Sequence, residues 1–502
     1  MEAFRYIYYL VLVALATIGS HIVDKDPRVS KVLRVLAFIS PIVLVYLTGI
    51  RLDLISAPFL LLAIVCSIAI SLHTEGYLRI LFGKVSPLQS IVDLTLLFII
   101  LFFTTQRVGE FIIFWIIVEL MGSLLVILER GIRNFGVAIK YLIVCVSAGD
   151  ISLFTLLAII AVKIGFGNAI VLEFSRLPSL GIELDPFLTF LILIGFTAKL
   201  GQIPLHFWLP DTYTETPSPG TAIFSALMSK MAVFAILRIY QFFHVDTMTY
   251  IAMLLVQGIL TAIYGALTAT MHSDLKRIMS YSSMGHYGVM TIILSLIPLN
   301  PDLFTKLVLL YALYHGFVKA QIFTNIATIE LLTNTRDIYR IGYLGIMVPR
   351  IYGSSIVAFL SLIGVPPALG FYAKVLLLVS IFALLPAYPV IALAGLISVG
   401  LFSVFSLVYS MKYLSVYTSS YKSKPRRTPA TITGLQVWSE IALAASTIAI
   451  TPLAIALGIN SFIDPIIIGF YVLGVASLVL VFTLKTRVVG KEARIWLGGV
   501  EV

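Results

Sequence analysis

Four lysines lie in apolar surroundings where a fixed charge is costly: Lys199 in LILIGFTAKLGQ, Lys230 in FSALMSKMAVF, Lys319 in YHGFVKAQIF and Lys374 in GFYAKVLLL. At membrane depth a lysine costs about 2.5 to 3.5 kcal/mol on insertion scales, so their retention points to ion chemistry. Lysine can give up its proton when desolvated, whereas arginine effectively cannot, and the choice of lysine favours proton handling over fixed charge. Acids accompany them. Glu119 sits in the middle of FIIFWIIVELMGSLLVIL, and Asp150 lies in KYLIVCVSAGDISLF. The central position of Glu119 favours an ion path over helix packing; for Asp150 a packing hydrogen bond is the standing alternative. Three imidazoles extend the series: His206 in PLHFWLP, His286 in YSSMGHYGVM and His315 in YALYHGFVKAQIF. His315 and Lys319 are four residues apart and share a helix face. Histidine titrates near neutral pH and can pass a proton between its two nitrogens, which suits a relay; for His206 a packing role is an equal alternative. Asp93 and Glu440 fall nearer segment ends and read as packing residues.

The elements that must position these groups are apolar. The chain has 502 residues, is 60% hydrophobic and 12% charged, and has a mean hydropathy of +1.05. Soluble domains carry about 25% charged residues, so this composition belongs in lipid. Runs of the ~20 apolar residues needed to cross a hydrocarbon layer recur from end to end. Fifteen are read, centred near Leu12, Ile42, Leu62, Leu97, Val118, Phe154, Ile194, Phe234, Gly258, Val289, Leu313, Ser361, Leu401, Ser446 and Leu473. The expected fold is an all-α polytopic membrane protein of about 14–15 transmembrane helices. The first segment, YIYYLVLVALATIG, follows a flank in which Glu2 and Arg5 offset each other, shows no cleavage site of a signal peptide and reads as a retained helix. Loops after odd-numbered segments hold 23 Lys and Arg against 7 on the opposite side, and the four left over are the lysines above. That bias puts the N-terminus outside and the C-terminus in the cytoplasm, across the plasma membrane. The net charge of +10 then reflects loops facing anionic lipid and not a nucleic-acid partner. Cys66 and Cys145 lie in apolar runs as buried thiols, and no metal spacing or cofactor fingerprint is read.

Two of the segments are broken. Gly201, Pro204, Pro210, Pro217, Pro219 and Gly220 interrupt the chain between Lys199 and Lys230, and Gly364, Pro366, Pro367 and Gly370 precede Lys374. A break at membrane depth frees backbone groups and is expected only where it is buried in protein or lines a wet cavity. The breaks fall in the seventh and twelfth segments, five apart, which points to two inverted five-helix repeats meeting at a transport site. The expected division is 1–85, N-terminal helices; 86–245, first repeat; 246–420, second repeat; and 421–502, C-terminal helices.

At FTAKLGQIPLHFWLPDTYTETPSPGTAIFSALMSKMAVFAILR, HSDLKRIMSYSSMGHYGVM, YALYHGFVKAQIF and GFYAKVLLL, the chain resembles the antiporter-like subunits of respiratory complex I and its relatives. Those relatives are the Mrp-type sodium/proton antiporters and the archaeal membrane-bound hydrogenases and sulfane-sulfur reductases. The resemblance reaches from about residue 50 to 420. It implies that Glu119 and Lys199 form the pair that drives a half-channel, that Lys230 is the bridging residue, and that His315 with Lys319 is the polar site of the eleventh helix. It further implies that Lys374 leads to the far side, and that Asp150 matches an acid only some members carry. His206 and His286 are secondary candidates. The family core has fourteen helices where fifteen are read here, no long lateral amphipathic helix is seen, and one branch has glutamate where this chain has Lys374. The implied function is a proton- or sodium/proton-translocating subunit of a redox-driven membrane complex. Isoleucine-rich helices with few Asn, Gln and Cys lean towards an archaeal hydrogenase or sulfur reductase. The alternatives are a redox-independent Mrp-type antiporter subunit and a structural subunit that no longer transports. Implied partners are other membrane subunits, further antiporter-like copies among them, and peripheral subunits with iron-sulfur clusters; the chain itself is expected to carry no cofactor and no redox chemistry.

Overall fold

Asp26–Pro27, Asp185–Pro186 and Asn300–Pro301 are one start signal used three times: the first side chain accepts from backbone N–H groups of the opening turn, and proline at the first helical position has no N–H to leave idle. A computed structural model describes residues 2–48, 52–128, 134–419, 432–452 and 472–476. It opens with α1 (Glu2–His21), α2 (Pro27–Ile39), α3 (Pro41–Thr48), α4 (Ser56–Phe82), α5 (Ser86–Phe103) and α6 (Val108–Ile127). Then α7 (Phe135–Tyr141) and α8 (Ser147–Ile164) form one rod through a π-turn over Leu142–Val146. Short α9 (Phe166–Val171) and strand β1 (Glu183–Leu184) lead into α10 (Pro186–Lys199). Beyond the first break come α11 (Trp208–Glu215), α12 (Ser218–Ile223) and α13 (Ser229–Phe242), the last two joined through a π-turn over Phe224–Met228. Strand β2 (His244–Val245) pairs in parallel with β1, a two-residue clasp on a helical fold.

The second half holds α14 (Thr247–Met271), α15 (Leu275–Ser295), α16 (Pro301–Thr333), α17 (Leu344–Met347), α18 (Pro349–Ile363), α19 (Leu369–Phe382), α20 (Pro389–Thr418) and α21 (Gly434–Ala449). Among the described residues ten helices are long and apolar enough to cross a membrane, and four shorter apolar helices accompany them. The first fourteen expected segments each coincide with helix, the twelfth split into α18 and α19; the fifteenth, near Leu473, lies almost wholly outside the described residues. The chain is a multi-pass, all-α membrane protein.

Packing sorts the helices by depth. The most apolar stretches of α12–α13 and of α16 are 100% buried, against 33% for α1 and α20, so the former make the inner pillar and the latter lie on the outside of the bundle. Small residues let backbones close up. A Cβ on Gly265 would stand 2.5 Å from the Gly285 nitrogen, and one on Gly288 would stand 2.3 Å from the Ala262 nitrogen, so α14 and α15 lie backbone to backbone. One expectation needs correction. Arg34 and Arg238, counted with the loops, lie inside α2 and α13 and are 0% and 6% exposed. Arg34 pairs with Glu75 and Arg238 with Asp53, so the four lysines are not the only buried cations. The loop count follows apolar runs, and α2 begins on polar residues before its run begins.

Candidate ion-translocation site

The first break positions the first pair. Gly201 turns the chain at φ +60°, a conformation that favours glycine, and stops α10 immediately after Lys199. The Trp208 indole closes the break by donating at 2.9 Å to the Ala198 carbonyl, which also accepts from the Gly201 N–H. Lys199 points across to α6, where its Nζ donates to Glu119 Oε1 at 2.9 Å with side chains only 2% and 0% exposed. Trp115, one turn before Glu119, presents its ring 4.8 Å from the ammonium, a favourable cation–π position. Glycines bring the three helices together. A Cβ on Gly195 would fall 2.0 Å from the Ala148 carbonyl oxygen of α8, and one on Gly149 would fall 3.1 Å from Glu119 Oε1. Glu119 Oε2 has no hydrogen-bond partner among the described residues. Asp150 follows Gly149, is half-buried, and lies within Coulombic reach of Lys199.

The second pair sits on the π-turn between α12 and α13. That turn releases the Ser225 carbonyl, which accepts from Lys230 Nζ at 2.8 Å and from the Tyr287 hydroxyl at 3.1 Å. Lys230 Nζ also reaches His315 Nδ1 at 2.6 Å. While Lys230 is an ammonium it has only protons to offer, so in that state Nδ1 is the acceptor and a neutral ring carries its proton on Nε2. Four residues along α16, Lys319 donates to Ser282 Oγ at 2.8 Å and to the Met279 carbonyl at 3.2 Å. His286 of α15 lies against His315 with ring centroids 4.9 Å apart. Its Nδ1 meets the hydroxyls of Tyr311 and Tyr314 at 2.9 and 3.0 Å, and its Nε2 meets Tyr409 at 3.4 Å.

The second break holds the last lysine. Gly364 at φ +94° ends α18, and Lys374 of α19 folds back to donate to the freed carbonyls of Leu362 and Ile363 at 2.7 and 3.0 Å. A cation at a helix C-terminus also satisfies the negative end of the helix dipole. Phe402 lies between it and the central cluster, with its ring centroid 5.5 Å from Lys374 Nζ and 4.7 Å from the His286 ring. Each break carries glycine with a positive φ three residues before a proline, and the pentapeptides GFTAK and GFYAK end on Lys199 and Lys374. The two correspondences differ in order, because the first break follows its lysine and the second precedes it.

The described residues thus bring Glu119 to Lys199, Lys230 to His315, and both His286 and Lys319 to that centre. His206 stands apart in the first break, half-buried, with Nδ1 3.2 Å from the Pro204 carbonyl and its ring against Tyr264. Tyr141, Phe224 and Met228 crowd Gly122, one turn beyond Glu119, within 3.3 Å of where a Cβ would stand. The hydroxyl partners Ser225, Ser282, Tyr287, Tyr311, Tyr314 and Tyr409 were not singled out in the sequence; serine and tyrosine recurring inside apolar helices is the only local signal for them. Asp93 and Glu440, read above as packing residues near segment ends, are each 0% exposed and held in polar networks. Asp93 accepts from Ser20 and Gln89 beside Arg34, and Glu440 accepts from Thr328 and Asn325 beside His73. Apart from Gln89 on its own helix, the partners of Asp93 and of Glu440 come from helices distant in sequence, so these networks have no local signal.

Comparison with known proteins places this geometry in context. A family model described as "NADH:quinone oxidoreductase/Mrp antiporter, TM" matches residues 105–403. A subunit of the F420H2 dehydrogenase from Methanosarcina mazei is 33% identical over 212 residues, 41% of each chain. A subunit of the Na+/H+ antiporter from Alkalihalophilus pseudofirmus is 32% identical over 224 residues, 43% of each chain. The matched stretch therefore spans about two fifths of the length of these curated relatives. Among solved structures, a chain of the Mrp complex from Dietzia sp. DQ12-45-1b superposes with a TM-score of 0.73 at 19% identity, over 91% of this chain and 94% of that one. A chain of respiratory complex I from Thermus thermophilus gives a TM-score of 0.68 at 20% identity, over 89% and 97%. These likenesses establish a shared fold.

Proposed function

Because the chain belongs to the NADH:quinone oxidoreductase/Mrp antiporter membrane family, we propose that it is an ion-translocating subunit whose path runs from Glu119 and Lys199 through Lys230 and His315 to Lys374. The observation that carries this reading is the pair of buried contacts, Lys199 to Glu119 at 2.9 Å and, within the inner pillar, Lys230 to His315 at 2.6 Å. A buried lysine stays charged while its carboxylate is charged and can lose its proton when that carboxylate is neutralised or moves. Dissociation of Lys199 from Glu119 changes the field at Lys230, whose proton passes to His315 Nδ1 and on towards His286, Lys319 and Lys374. Asp150 modulates the first pair.

The parent assembly is proposed to be a redox-driven complex of the complex-I-like kind, an archaeal membrane-bound hydrogenase or sulfane-sulfur reductase, with further membrane subunits and peripheral iron-sulfur subunits as partners. The similarity to the F420H2 dehydrogenase subunit supports a redox-driven parent. The likeness to the Na+/H+ antiporter subunit and to the Mrp complex supports a redox-independent antiporter equally. Genes for a hydrogenase-like metal subunit beside this one would decide for the first. The two-repeat division, with breaks at 200–207 and 364–368, and an outside N-terminus in the plasma membrane are part of the same proposal. Lys199→Ala and Glu119→Gln are expected to abolish ion pumping by vesicle-reconstituted complex while assembly persists. Undiminished pumping in both would overturn the assigned path.

A further inference from the structure

Outside the stretch matched to the family, α4 and α21 contribute an acid and an imidazole that the path above does not use. The Gln436 and Thr433 side chains lie 2.8 Å from where a Cβ on Gly76 would stand, so the start of α21 lies directly on α4. Glu440, one turn on from Gln436, thereby faces His73, which precedes Gly76 by three residues. The two groups are 0% exposed and His73 Nε2 is 3.6 Å from Glu440 Oε1. Thr328 donates to Glu440 Oε1 at 2.5 Å and Asn325 Nδ2 donates to Oε2 at 2.9 Å. The Asn325 carbonyl in turn accepts from Tyr413 and Tyr417 at 2.8 and 2.7 Å. Ser355 of α18 touches the Tyr417 hydroxyl at 3.1 Å.

The hydrogen-bond directions fix the state of His73. The Thr328 proton is engaged by Glu440, so its oxygen is an acceptor for His73 Nε2 at 3.3 Å, and Nε2 carries the ring proton. Nδ1 is then a bare acceptor, buried and without a hydrogen-bond partner among the described residues. The place in the bundle matters too. Tyr77 and Leu78 of α4 pack with Ala327 and Leu331 of α16, so these helix ends share one end of the molecule, the end bearing Arg79, Lys84, Arg336 and Arg340. His73 lies nine residues before the end of α4, about 13 Å by helical rise. Inward, Tyr413 is followed one turn closer to the centre by Tyr409, which contacts His286.

We propose that His73 and Glu440 form a second proton-loading site that feeds the central cluster from the cation-rich end, a reading that rests on the translocation function above. A proton from that side adds to His73 Nδ1; the imidazolium then gives its Nε2 proton to Glu440 Oε1, leaving a carboxylic acid and a neutral ring protonated on Nδ1. The ring must return its proton to Nε2, by tautomeric exchange or a ring flip, before the next proton is loaded. The acid releases the proton inward to His286, across the Asn325 amide that joins Glu440 to Tyr413 and past Tyr409, which meets His286, and this regenerates the carboxylate. The other ionisable groups facing the site are Tyr413 and Tyr417 of α20, Tyr352 of α18, stacked on Tyr417, and Glu330 of α16, which is engaged with Ser218 and Arg336.

The test is proton flux per assembled complex in reconstituted vesicles, for wild type, Glu440→Gln, Glu440→Asp, His73→Gln and Lys199→Ala. Glutamine at either position preserves hydrogen bonding but not proton binding. Glu440→Gln and His73→Gln are each expected to lower flux about tenfold or more, as loss of an acid–base group does, with Glu440→Asp partly restoring it. Wild-type flux per assembled complex in both glutamine variants, whether or not assembly falls, would overturn the loading site. If only one of the two assembles, its flux alone decides. Full flux in Lys199→Ala would instead overturn the translocation reading itself.

Discussion

The Glu119–Lys199 contact is an ion pair with no water-facing side, and removing one partner leaves the other as an uncompensated charge. Breaking such a buried pair typically costs about 3–5 kcal/mol, whereas replacing both members is often close to neutral. Lys199→Ala is therefore expected to destabilise the assembled protein strongly, because Glu119 then has no cation. Glu119→Gln costs less, since the lysine keeps the Trp115 ring and can shed its proton. The double variant should recover most of the stability and none of the transport, and thermal unfolding of the solubilised complex alongside flux measures both. A Lys199→Ala protein as stable as wild type would refute the pair as an ionised contact. The lysines were legible in sequence because a charge inside an apolar run is its own signal. Their hydroxyl and carbonyl partners were not, because a tyrosine or serine in the same run carries no such cost. The network around His73 and Glu440 was not legible for a further reason: Asn325 and Glu440 are 115 residues apart, and nothing local announces their contact.

Helices position these groups only as well as their backbones approach. Lys199 lies one turn beyond Gly195, whose missing Cβ leaves room for the Ala148 carbonyl and for Ser152 Oγ, each within about 2.2 Å of where the added carbon would stand. Neither a backbone carbonyl nor a side chain bonded to the Gly195 N–H at 3.1 Å can yield that distance. Gly195→Ala must push α10 off α8 and carry Lys199 away from Glu119. A displacement near 1 Å at a reacting pair can cost about a hundredfold in rate, so this uncharged substitution should reduce flux nearly as far as Lys199→Ala does. Gly136→Ala, with open space around its Cβ, is the matched control and should be silent in the same flux assay. Comparable flux in the two alanine variants would show that the α8–α10 contact does not set the pair. Fourteen helical segments and both breaks were readable from apolar runs and from proline and glycine, since those features act locally. The burial of Arg34 and Arg238 was not, because which face of a helix meets a neighbour depends on packing that no window of sequence contains.

At the scale of the whole molecule, the chemistry of the path selects the ion. From one break to the other, the inner groups are four lysines, two histidines, hydroxyls and helix-end carbonyls, with Glu119 the fully buried acid among them and Asp150 half-buried at its edge. A sodium ion moving along that line would need a shell of oxygen ligands at each stop and would meet ammonium groups at Lys199, Lys230, Lys319 and Lys374. Like charges a few ångströms apart in a medium less polar than water repel by several kcal/mol. A proton meets no such barrier, because it moves by being handed from ammonium to imidazole, as the Lys230–His315 contact at 2.6 Å is arranged to do. On the proposed path a proton is therefore the expected cargo, and any sodium movement by the parent complex is expected to use other groups. Vesicles holding the reconstituted complex should acidify or alkalinise at undiminished rate when every sodium salt is replaced by choline, and an imposed sodium gradient alone should drive no flux that Lys230→Met removes. A Lys230→Met variant that loses sodium flux while keeping proton flux would place sodium on this path and overturn the assignment of the ion.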